Sequence, residues 1–404
     1  MIRGLYRKIS SEKTINCLIF AITVWYLGLC VLHYFYQRPL WNDEQAVFSS
    51  LLWLKPSDFF TGELVNGQNF PRLHLFIVQK IARAFDFSLL SVRFLSFVFM
   101  LTAFFVWRRI FSLEFKDRKQ FLAYLLSWCS SAALIYYSAE LKQYSMDVLS
   151  SSLFVLFLYN QERLRRENNR LYETFLFLLP ALILFSYPSF FFFIFPLHNM
   201  VVMHKREGGG ARHIAIYLSS LAVFCAIGYF FDMRLRKVCN YDDYFIYFTS
   251  AGDFFRTLGE GIMNLFSRYL VERPRILKKI LVFFFVFGLF NTFGSFFAFF
   301  KKENYYFRSV KTIALIVFLE LVFMGALKKY PFTVPRTSLF FSPIILFLTL
   351  NGIIALKRFN VYLYRAVYYP YLVLLLFIFI QLSVLCATGR GQFAPQLWFF
   401  GIKS

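Results

Sequence analysis

Long apolar runs separated by short basic segments recur along most of the chain, and 281–300 and 371–388 are two of the longest. About 20 mostly apolar helical residues are needed to cross the hydrocarbon core of a bilayer. Because lipid offers no hydrogen-bond partner to a free backbone group, such runs are expected to be helices. The pattern therefore predicts an all-α, polytopic membrane protein.

The basic segments indicate the topology. They are 108–119, 161–170, 204–212, 301–311 and 357–365, and loops rich in Lys and Arg are typical of the cytoplasmic side. If these segments and the basic N-terminus are all cytoplasmic, each neighbouring pair encloses an even number of spans. This predicts about eleven transmembrane helices, with the N-terminus inside and the C-terminus outside. The predicted spans are 15–36, 89–107, 120–138, 144–160, 171–187, 189–203, 213–231, 276–300, 312–326, 338–356 and 366–388.

Two long loops, 37–88 and 232–275, are predicted on the extracytoplasmic face. Loops of this length often carry function. No internal repeat is visible in the sequence. We therefore expect residues 1–404 to form a single membrane-embedded domain with these loops on its outer side.

Two segments of the first outer loop have an amphipathic pattern. In 71–86, apolar residues recur at helical spacing opposite Gln79, Lys80 and Arg83, and 44–55 has a similar stripe. We expect both segments to be helices that lie in the outer interface rather than cross the membrane.

The composition supports the membrane class and excludes others. The chain is 59% hydrophobic and 16% charged, whereas soluble domains average about 45–50% and 25%. The net charge of +22 could suggest nucleic acid, but the basic residues sit between apolar runs as topology signals do. Membrane lipids are therefore expected as partners and nucleic acid is not. The first run, 15–36, is too long for a signal-peptide core and is expected to stay as a span.

No nucleotide-binding or hydrolase motif of the GxGxxG, Walker A, HExxH or GxSxG type is present. The six cysteines show no paired spacing, so neither disulfides nor a cysteine metal site is expected. Polar residues beyond those that topology requires occur instead in three segments next to predicted spans.

The first polar segment is 41–45, directly after the first span. Asn42 or Asp43 would be a suitable N-cap for the following helix, and acidic residues are favoured in a first helical turn. Two adjacent carboxylates, Asp43 and Glu44, exceed what one cap needs. A carboxylate at this surface could also act as a general base on a hydroxyl group.

The second segment is 136–145, a tight outer turn between two predicted spans. Glu140 and Lys142 lie where hydrocarbon meets water, and an ionisable group at such a depth is a functional candidate. The alternative interpretation is a local Glu–Lys pair whose side chains extend to the interface.

The third segment is 327–343, a short outer loop with the cations Lys328, Lys329 and Arg336. Cations in a short outer loop run against the usual inward bias. A phosphate would explain them, since Arg can bind it with two hydrogen bonds. A general attraction to anionic lipid headgroups would explain them as well.

Weaker candidates lie in the two long outer loops. Asn69, Arg72 and His74 precede or open the second amphipathic segment and could add to the same surface. Asp242 and Asp243 belong to the second loop, where a solvated acidic turn explains them equally well.

These segments, in this order and on one predicted face, resemble the glycosyltransferase C superfamily. The likeness is greatest to bacterial relatives of protein O-mannosyltransferases and of the lipid A aminoarabinose transferase. Asp43–Glu44 match an acidic pair after the first span, and 69–77 match a proline-led amphipathic segment. An R-x-x-S helix start is matched by 93–96, and a Y-S-x-E-L-[KR]-x-Y turn by 137–144. A late Y-P-F…R…P element is matched by 330–343.

The resemblance covers most of the membrane region, with two departures. The family often has two prolines where this chain has Pro71–Arg72, and no large soluble domain follows the last predicted span. The second departure argues against an asparagine-linked oligosaccharide transferase. The resemblance implies that a sugar passes from a polyprenyl-phosphate-linked donor to an acceptor hydroxyl of a lipid, glycan or protein. The reaction would occur on the outer face of the plasma (inner) membrane of the cell envelope.

The resemblance also implies roles for individual residues. Asp43 is expected to act as the general base, giving inversion, with Glu44 orienting it and Glu140 contacting the sugar or pairing with Lys142. The groups expected to bind the donor phosphate and sugar are Arg72, His74, Lys142, Tyr144, Lys328, Tyr330 and Arg336. No cofactor is expected to be required, although carboxylates beside a phosphate would suit a divalent metal.

Three other functions remain open. A transporter or flippase of lipid-linked saccharides would place ionisable residues at the bilayer midplane and often shows repeated halves, whereas here the span interiors look nearly free of charge. A polymerase that uses lipid-linked repeat units would need a similar outer basic site. A non-catalytic membrane scaffold would not require the outer acidic and basic groups.

Overall fold

The computed structural model describes residues 12–208, 210–235, 245–246, 250–269, 275–300, 306–307, 309–332, 334 and 336–388. Within them the protein is entirely helical, with no strand. The all-α prediction is therefore confirmed for the described part of the chain. The α-helices are α1 (Glu12–Phe35), α2 (Asn42–Trp53), α3 (Arg72–Ala84), α4 (Leu89–Glu114), α5 (Arg118–Cys129), α6 (Ala132–Tyr136), α7 (Tyr144–Glu167), α8 (Asn169–Leu178), α9 (Ile194–Glu207), α10 (Ala211–Phe231), α11 (Ala251–Tyr269), α12 (Arg275–Phe300), α13 (Val310–Ala326), α14 (Ser342–Ala355) and α15 (Val361–Thr388).

Short 3₁₀ segments connect or extend several of these helices. They are Asp58–Phe60, Val65–Gly67, Tyr137–Ala139, Leu179–Leu184, Tyr187–Phe192, Met233–Leu235, Leu339–Phe341 and Leu356–Arg358. Pro180 and Pro188 each stand near the start of one such segment. Because proline removes a backbone donor and disfavours the helix interior, it explains why the chain between α8 and α9 is broken.

Among the described residues, six helical segments are long and apolar enough to cross a membrane, judged by length and composition alone: Glu12–Phe35, Leu89–Glu114, Ala211–Leu235, Arg275–Gly294, Leu339–Arg358 and Val361–Thr388. The pair Arg118–Cys129 and Ala132–Ala139, bent by 60°, makes seven if it counts as one span. The predicted count of about eleven is not confirmed. Of the remaining predicted spans, α13 is only 17 residues long and 171–203 is interrupted by the proline-containing segments.

A smaller apolar cluster fastens the chain between α1 and α4 to the rest of the protein. Leu51 of α2 and Phe70 pack in it with Leu75 of α3, and Val92 and Leu141 join it from the main body. Burial of such side chains stabilises each by about 1.5–3 kcal/mol. The cluster thereby holds the start of α2 beside α4 and the turn at Leu141.

The face that α3 buries differs from the prediction. Gln79, assigned to the polar face, is fully buried, while Lys80 and Arg83 are exposed. Its amide nitrogen donates to the carbonyl oxygens of Leu51 at 2.8 Å and Leu54 at 2.7 Å. These carbonyls lie at the C-terminal end of α2, where a helix has no backbone donors of its own. The interfacial position of α2 and α3 stays a prediction.

Two glycines let α12 and α14 cross with their backbones in contact. A Cβ atom on Gly288 would lie 2.0 Å from the carbonyl oxygen of Leu348, and one on Gly352 would lie 2.0 Å from that of Phe284. Both obstacles are backbone atoms, so no side-chain rotation can relieve them. Small residues of this kind are common where membrane helices approach closely.

Gly288→Ala is expected to lower the free energy of unfolding by about 1–3 kcal/mol, because the added methyl group forces the two backbones apart. Gly294→Ala is the matched control in the same helix, since nothing lies within 4 Å of a Cβ there. Alanine should stabilise that position by up to about 1 kcal/mol. Thermal unfolding of the detergent-purified variants measures the difference, and equal midpoints would contradict the backbone contact.

Candidate functional site

Glu44, in the first turn of α2, is the centre of a buried ion-pair network. Its Oε2 accepts hydrogen bonds from Arg38 Nη1 at 2.7 Å and Arg93 Nη2 at 2.9 Å. Its Oε1 accepts from Arg93 Nε at 3.1 Å and from the backbone nitrogen of Leu141 at 2.7 Å. The three charged side chains are at most 2% exposed. The network thus joins the end of α1, the start of α4 and the turn before α7.

The charge of Glu44 is stabilised inside the protein. Burial alone would raise its pKa, but the guanidinium groups of Arg38 and Arg93 outweigh burial and hold the pKa below its usual range. The four hydrogen bonds that its carboxylate accepts from Arg38, Arg93 and Leu141 are all made within the chain. Glu44 is therefore equipped to position its neighbours rather than to contact a substrate.

The start of α2 corrects one interpretation of the acidic pair. The N-cap residue is Trp41, neither Asn42 nor Asp43. The backbone nitrogen of Trp41 is 3.5 Å from Oε2 of Glu44, three residues further on. Glu44 therefore accepts the backbone hydrogen bond at the start of the helix, and the Asp43 side chain is not needed there.

Asp43 forms an ion pair with Arg336, which is 293 residues away in the sequence. The two side chains are 27% and 25% exposed, so the pair lies at the edge of the protein interior. The Cζ atom of Arg336 is 5.6 Å from the ring centre of Trp41. Tyr144 raises the pKa of Arg336 most, burial lowers it and Asp43 raises it further, so Arg336 remains a cation.

Glu140 lies behind this pair and is fully buried. Its Oε1 accepts a hydrogen bond from Trp41 Nε1 at 3.3 Å, while its Oε2 has no partner among the described residues. Burial and then the carboxylate of Glu44 raise the pKa of Glu140 to about 7. Near neutral pH this carboxyl group can therefore donate or accept a proton.

Lys142, two residues further on, is also buried. Its Nζ donates to Gln68 Oε1 at 2.8 Å and lies 6.0 Å from the ring centre of Phe70. Burial lowers its pKa to about 8. Among the described residues Lys142 forms no ion pair with Glu140 within 4.0 Å, so the interpretation as a local Glu–Lys pair does not describe this geometry.

The raised pKa of Glu140 makes a prediction about stability and pH. The carboxyl group has a higher pKa in the folded state than in the unfolded state, so the unfolded state ionises first as the pH rises. The free energy of unfolding therefore falls between about pH 4.5 and pH 7. Glu140→Gln should remove this loss. Its thermal midpoint relative to the native protein is expected to rise between pH 5 and pH 8, whereas exposed Glu260→Gln should show no such trend. A constant difference would contradict the raised pKa.

Two of the motif segments meet at this point. Ser96, three residues after Arg93 in α4, donates from Oγ to the backbone oxygen of Lys142 at 3.0 Å. Tyr144 is 6% exposed and packs edge-on against Tyr137 at 5.1 Å. The turn that carries Glu140 and Lys142 is thus held by the hydrogen bond from Ser96 of α4 and by the contact between Tyr137 and Tyr144 at its two ends.

Arg72 and His74 contact residues away from the Asp43–Arg336 pair. Nη1 of Arg72 donates to the carbonyl oxygens of Phe59 and Gly62, and the residue borders a separate pocket of about 360 Å³ with Asp232. The His74 ring packs between Phe70 and Phe99. Burial lowers the pKa of His74 to about 4, so its ring is neutral at physiological pH.

The two remaining predicted residues belong to the loop before α14. Lys328 is exposed, with a φ angle of +55°. The hydroxyl of Tyr330 donates to the backbone oxygen of Thr337 at 2.5 Å and so shapes the loop around Arg336. Asp242 and Asp243 lie outside the described residues.

Several residues of the site were missed or underrated. Arg38 directly follows the first span, and Arg93 was noted only as part of a motif; an isolated Arg near a span end was the available signal. The statement that the span interiors are nearly free of charge also needs correction. Asp147 in α7 is 3% exposed, and a buried carboxyl oxygen of Glu320 in α13 has no partner among the described residues.

In the part of the chain that the structure describes, no group of three or more His, Cys, Asp or Glu side chains could hold a metal ion. Comparison of the chain with protein-family models, with curated proteins and with solved structures gave no match. Fold and site together define a helical protein whose described part contains six or seven helices long and apolar enough to cross a membrane, together with a cluster of acids and cations.

Proposed function

We propose that this protein transfers a sugar from a polyprenyl-phosphate-linked donor to an acceptor hydroxyl, with inversion, on the extracytoplasmic face of the plasma (inner) membrane. In this proposal the chain crosses the membrane eleven times and α2 and α3 lie in the outer interface. The observation that carries the proposal is the Asp43–Arg336 pair beside Glu140 and Lys142. It joins a carboxylate, two cations and a carboxyl group that titrates near neutral pH.

The cations are suited to a phosphate leaving group. Arg336 and Lys142 would bind the donor phosphate, because charge-assisted hydrogen bonds to phosphate are strong and directional. A bound phosphate competes with Asp43 for the guanidinium group of Arg336. Donor binding would therefore release the Asp43 carboxylate at the moment at which a base is needed.

The reaction is a single displacement at the anomeric carbon. Asp43 accepts the proton of the acceptor hydroxyl, the acceptor oxygen bonds to the anomeric carbon, and the bond from that carbon to the phosphate oxygen breaks. The leaving polyprenyl phosphate takes the electron pair, and Arg336 and Lys142 stabilise its charge. An oxocarbenium-like transition state is expected, as in glycoside hydrolysis. Glu44 positions Asp43 through the network described above.

The test is a reconstituted transfer assay. The purified full chain in liposomes is supplied with radiolabelled undecaprenyl-phosphate sugars and with lipid A, membrane glycans and envelope proteins as acceptors. The expected result is labelled acceptor together with free undecaprenyl phosphate. Absence of both products with every donor and acceptor pair would overturn the proposal.

Arg336→Ala is expected to weaken use of the lipid donor roughly 10- to 100-fold, because one charge-assisted contact to the phosphate is lost. The KM for the acceptor should change little. Lys329→Ala is the matched control, since Lys329 is an exposed cation of the same loop. An equal loss for donor and acceptor would assign Arg336 a structural role instead.

A transporter or flippase of lipid-linked saccharides is the second candidate. Asp147 and Glu320 favour it, because ionisable groups inside membrane helices are typical of transport pathways. A transporter would move the labelled lipid across the liposome bilayer without cleaving it. A polymerase, by contrast, would extend a lipid-linked saccharide, so the nature of the labelled product separates the three activities.

A further inference from the structure

Five buried polar atoms without a partner lie on α7 and on the chain that faces it. They are Oε1 of Gln143, Oδ1 of Asp147 and the hydroxyl oxygens of Ser150, Ser186 and Ser189, and none forms a hydrogen bond with any described residue. Asp147 is 3% exposed and the three serines are at most 1% exposed. Buried polar groups are nearly always paired with protein or water, so five in one region indicate that water or a ligand completes their hydrogen bonds.

The spacing brings three of these residues to one side of α7. Gln143, which immediately precedes α7 in a helical conformation, is four residues from Asp147, and Asp147 is three residues from Ser150, so the three lie on one side of the helix. This helix packs against the segment Tyr187–Phe192. The hydroxyl of Ser186, at the start of that segment, lies close enough to stabilise charge on the Asp147 carboxyl group. Asp147 of α7 and Ser186 of the facing segment therefore lie close together.

The next two residues of α7 provide an internal comparison. The hydroxyl of Ser151 donates to the backbone oxygen of Val148, and that of Ser152 donates to the backbone oxygen of Leu149. A serine in a helix commonly satisfies its hydroxyl in this way. Ser150 does not, although it lies in the same turn. Its hydroxyl therefore remains available for a hydrogen bond to another group.

This polar cluster adjoins the proposed active site. Asp147 is one turn into α7 after Tyr144, and Tyr144 interacts electrostatically with Asp147 as well as with Arg336, Glu140 and Asp43. Tyr144 therefore connects the cluster with the site around Arg336.

We propose that Gln143, Asp147, Ser150, Ser186 and Ser189 form a subsite for the hydroxyl groups of the transferred sugar. Carboxyl and amide oxygens accept hydrogen bonds, and serine hydroxyls both donate and accept. This set matches a neutral, hydroxyl-rich ring. It does not match an apolar chain, which would leave every group unpaired, or a phosphate, because none of the five residues is a cation. The inference rests on the proposed function and adds the part of the substrate that the cluster selects.

The test compares binding of lipids with and without a sugar. The full chain in nanodiscs is titrated with undecaprenyl phosphate and with the same lipid carrying mannose, glucose, galactose or 4-amino-4-deoxyarabinose. At least one sugar-bearing lipid should bind the native protein more tightly than the bare lipid does. Asp147→Val should weaken that binding roughly 10-fold or more, and Asp147→Asn less, because the amide keeps one hydrogen-bond acceptor. Binding of bare undecaprenyl phosphate should be unchanged.

A second variant keeps the test valid if Asp147→Val fails to fold. Ser150→Ala combined with Ser186→Ala removes two hydroxyl groups with little change of volume, and should reduce only the sugar-dependent part of the affinity. Equal binding of all lipids to the native protein, or equal weakening of bare and sugar-bearing lipids by the variants, would overturn the subsite. The subsite would also be overturned if sodium chloride raised the thermal midpoint more than choline chloride did and Asp147→Asn abolished this difference. That result would identify a cation site.

Failure of the sugar subsite and failure of the proposed transfer reaction give different results. If sugar-dependent binding is found but no acceptor is glycosylated, the subsite stands and the transfer reaction fails. If Asp43-dependent transfer is found while the Asp147 and serine variants keep native sugar-dependent affinity, the transfer reaction stands and the subsite fails.

Discussion

Asp43→Asn is expected to lower the rate of sugar transfer roughly 10²- to 10⁴-fold, the usual contribution of a general base. Asparagine has nearly the same shape as aspartate but cannot accept the proton of the acceptor hydroxyl. The protein should remain folded and abundant, since a partly exposed ion pair such as Asp43–Arg336 contributes only about 0–1 kcal/mol to stability. The measurement is the reconstituted transfer assay at equal protein amounts, with the thermal midpoint as the check on folding.

The matched control is Asp86→Asn. Asp86 is an exposed aspartate with a φ angle of +49°, a conformation that asparagine adopts readily. This substitution should leave both transfer and stability unchanged. If Asp43→Asn retains native transfer, Asp43 is not the base, and Glu140, with its pKa near 7, becomes the carboxyl group to test.

Glu44→Gln is expected to have the largest effect on stability. Removing the charge leaves the guanidinium groups of Arg38 and Arg93 buried together without a counter-ion. Breaking one partner of a buried ion pair typically costs about 3–5 kcal/mol. The thermal midpoint of the detergent-purified protein should fall by roughly 5–10 °C, whereas Glu260→Gln on the exposed face of α11 should leave it nearly unchanged.

A triple variant tests whether uncompensated charge, rather than lost packing, destabilises Glu44→Gln. Arg38→Met, Glu44→Leu and Arg93→Met together remove every charge of the network, and apolar replacement of a buried ion-pair triad is often neutral or stabilising. We expect the triple variant to be more stable than Glu44→Gln alone. A triple variant that is less stable would contradict the argument from uncompensated charge. It should also transfer sugar poorly, because the hydrogen bonds that Glu44 accepts from Arg93 and from the backbone of Leu141 are then lost and only apolar contacts hold the start of α2.

The helical class of this protein was predictable because hydrophobic periodicity is a local property. Apolar runs such as 366–388 reappear as long helices, here α15. The count of spans was less predictable, because α7 carries Asp147 and several serines, and the chain around Pro180 and Pro188 is broken. Apolar length decides membrane crossing only where a run is uniform and uninterrupted.

Acids and cations are concentrated in the sequence segments around Asp43, Glu140 and Arg336, and this is visible without a structure. The pairing of these groups is visible only in the folded chain. Asp43 and Glu44 are neighbours in the chain, but successive residues of a helix point about 100° apart. Glu44 therefore points inward to Arg38 and Arg93, whereas Asp43 forms an ion pair with Arg336 of a distant loop. Helical periodicity sets the direction of each side chain, whereas the identity of its partner depends on packing between segments that are far apart in sequence.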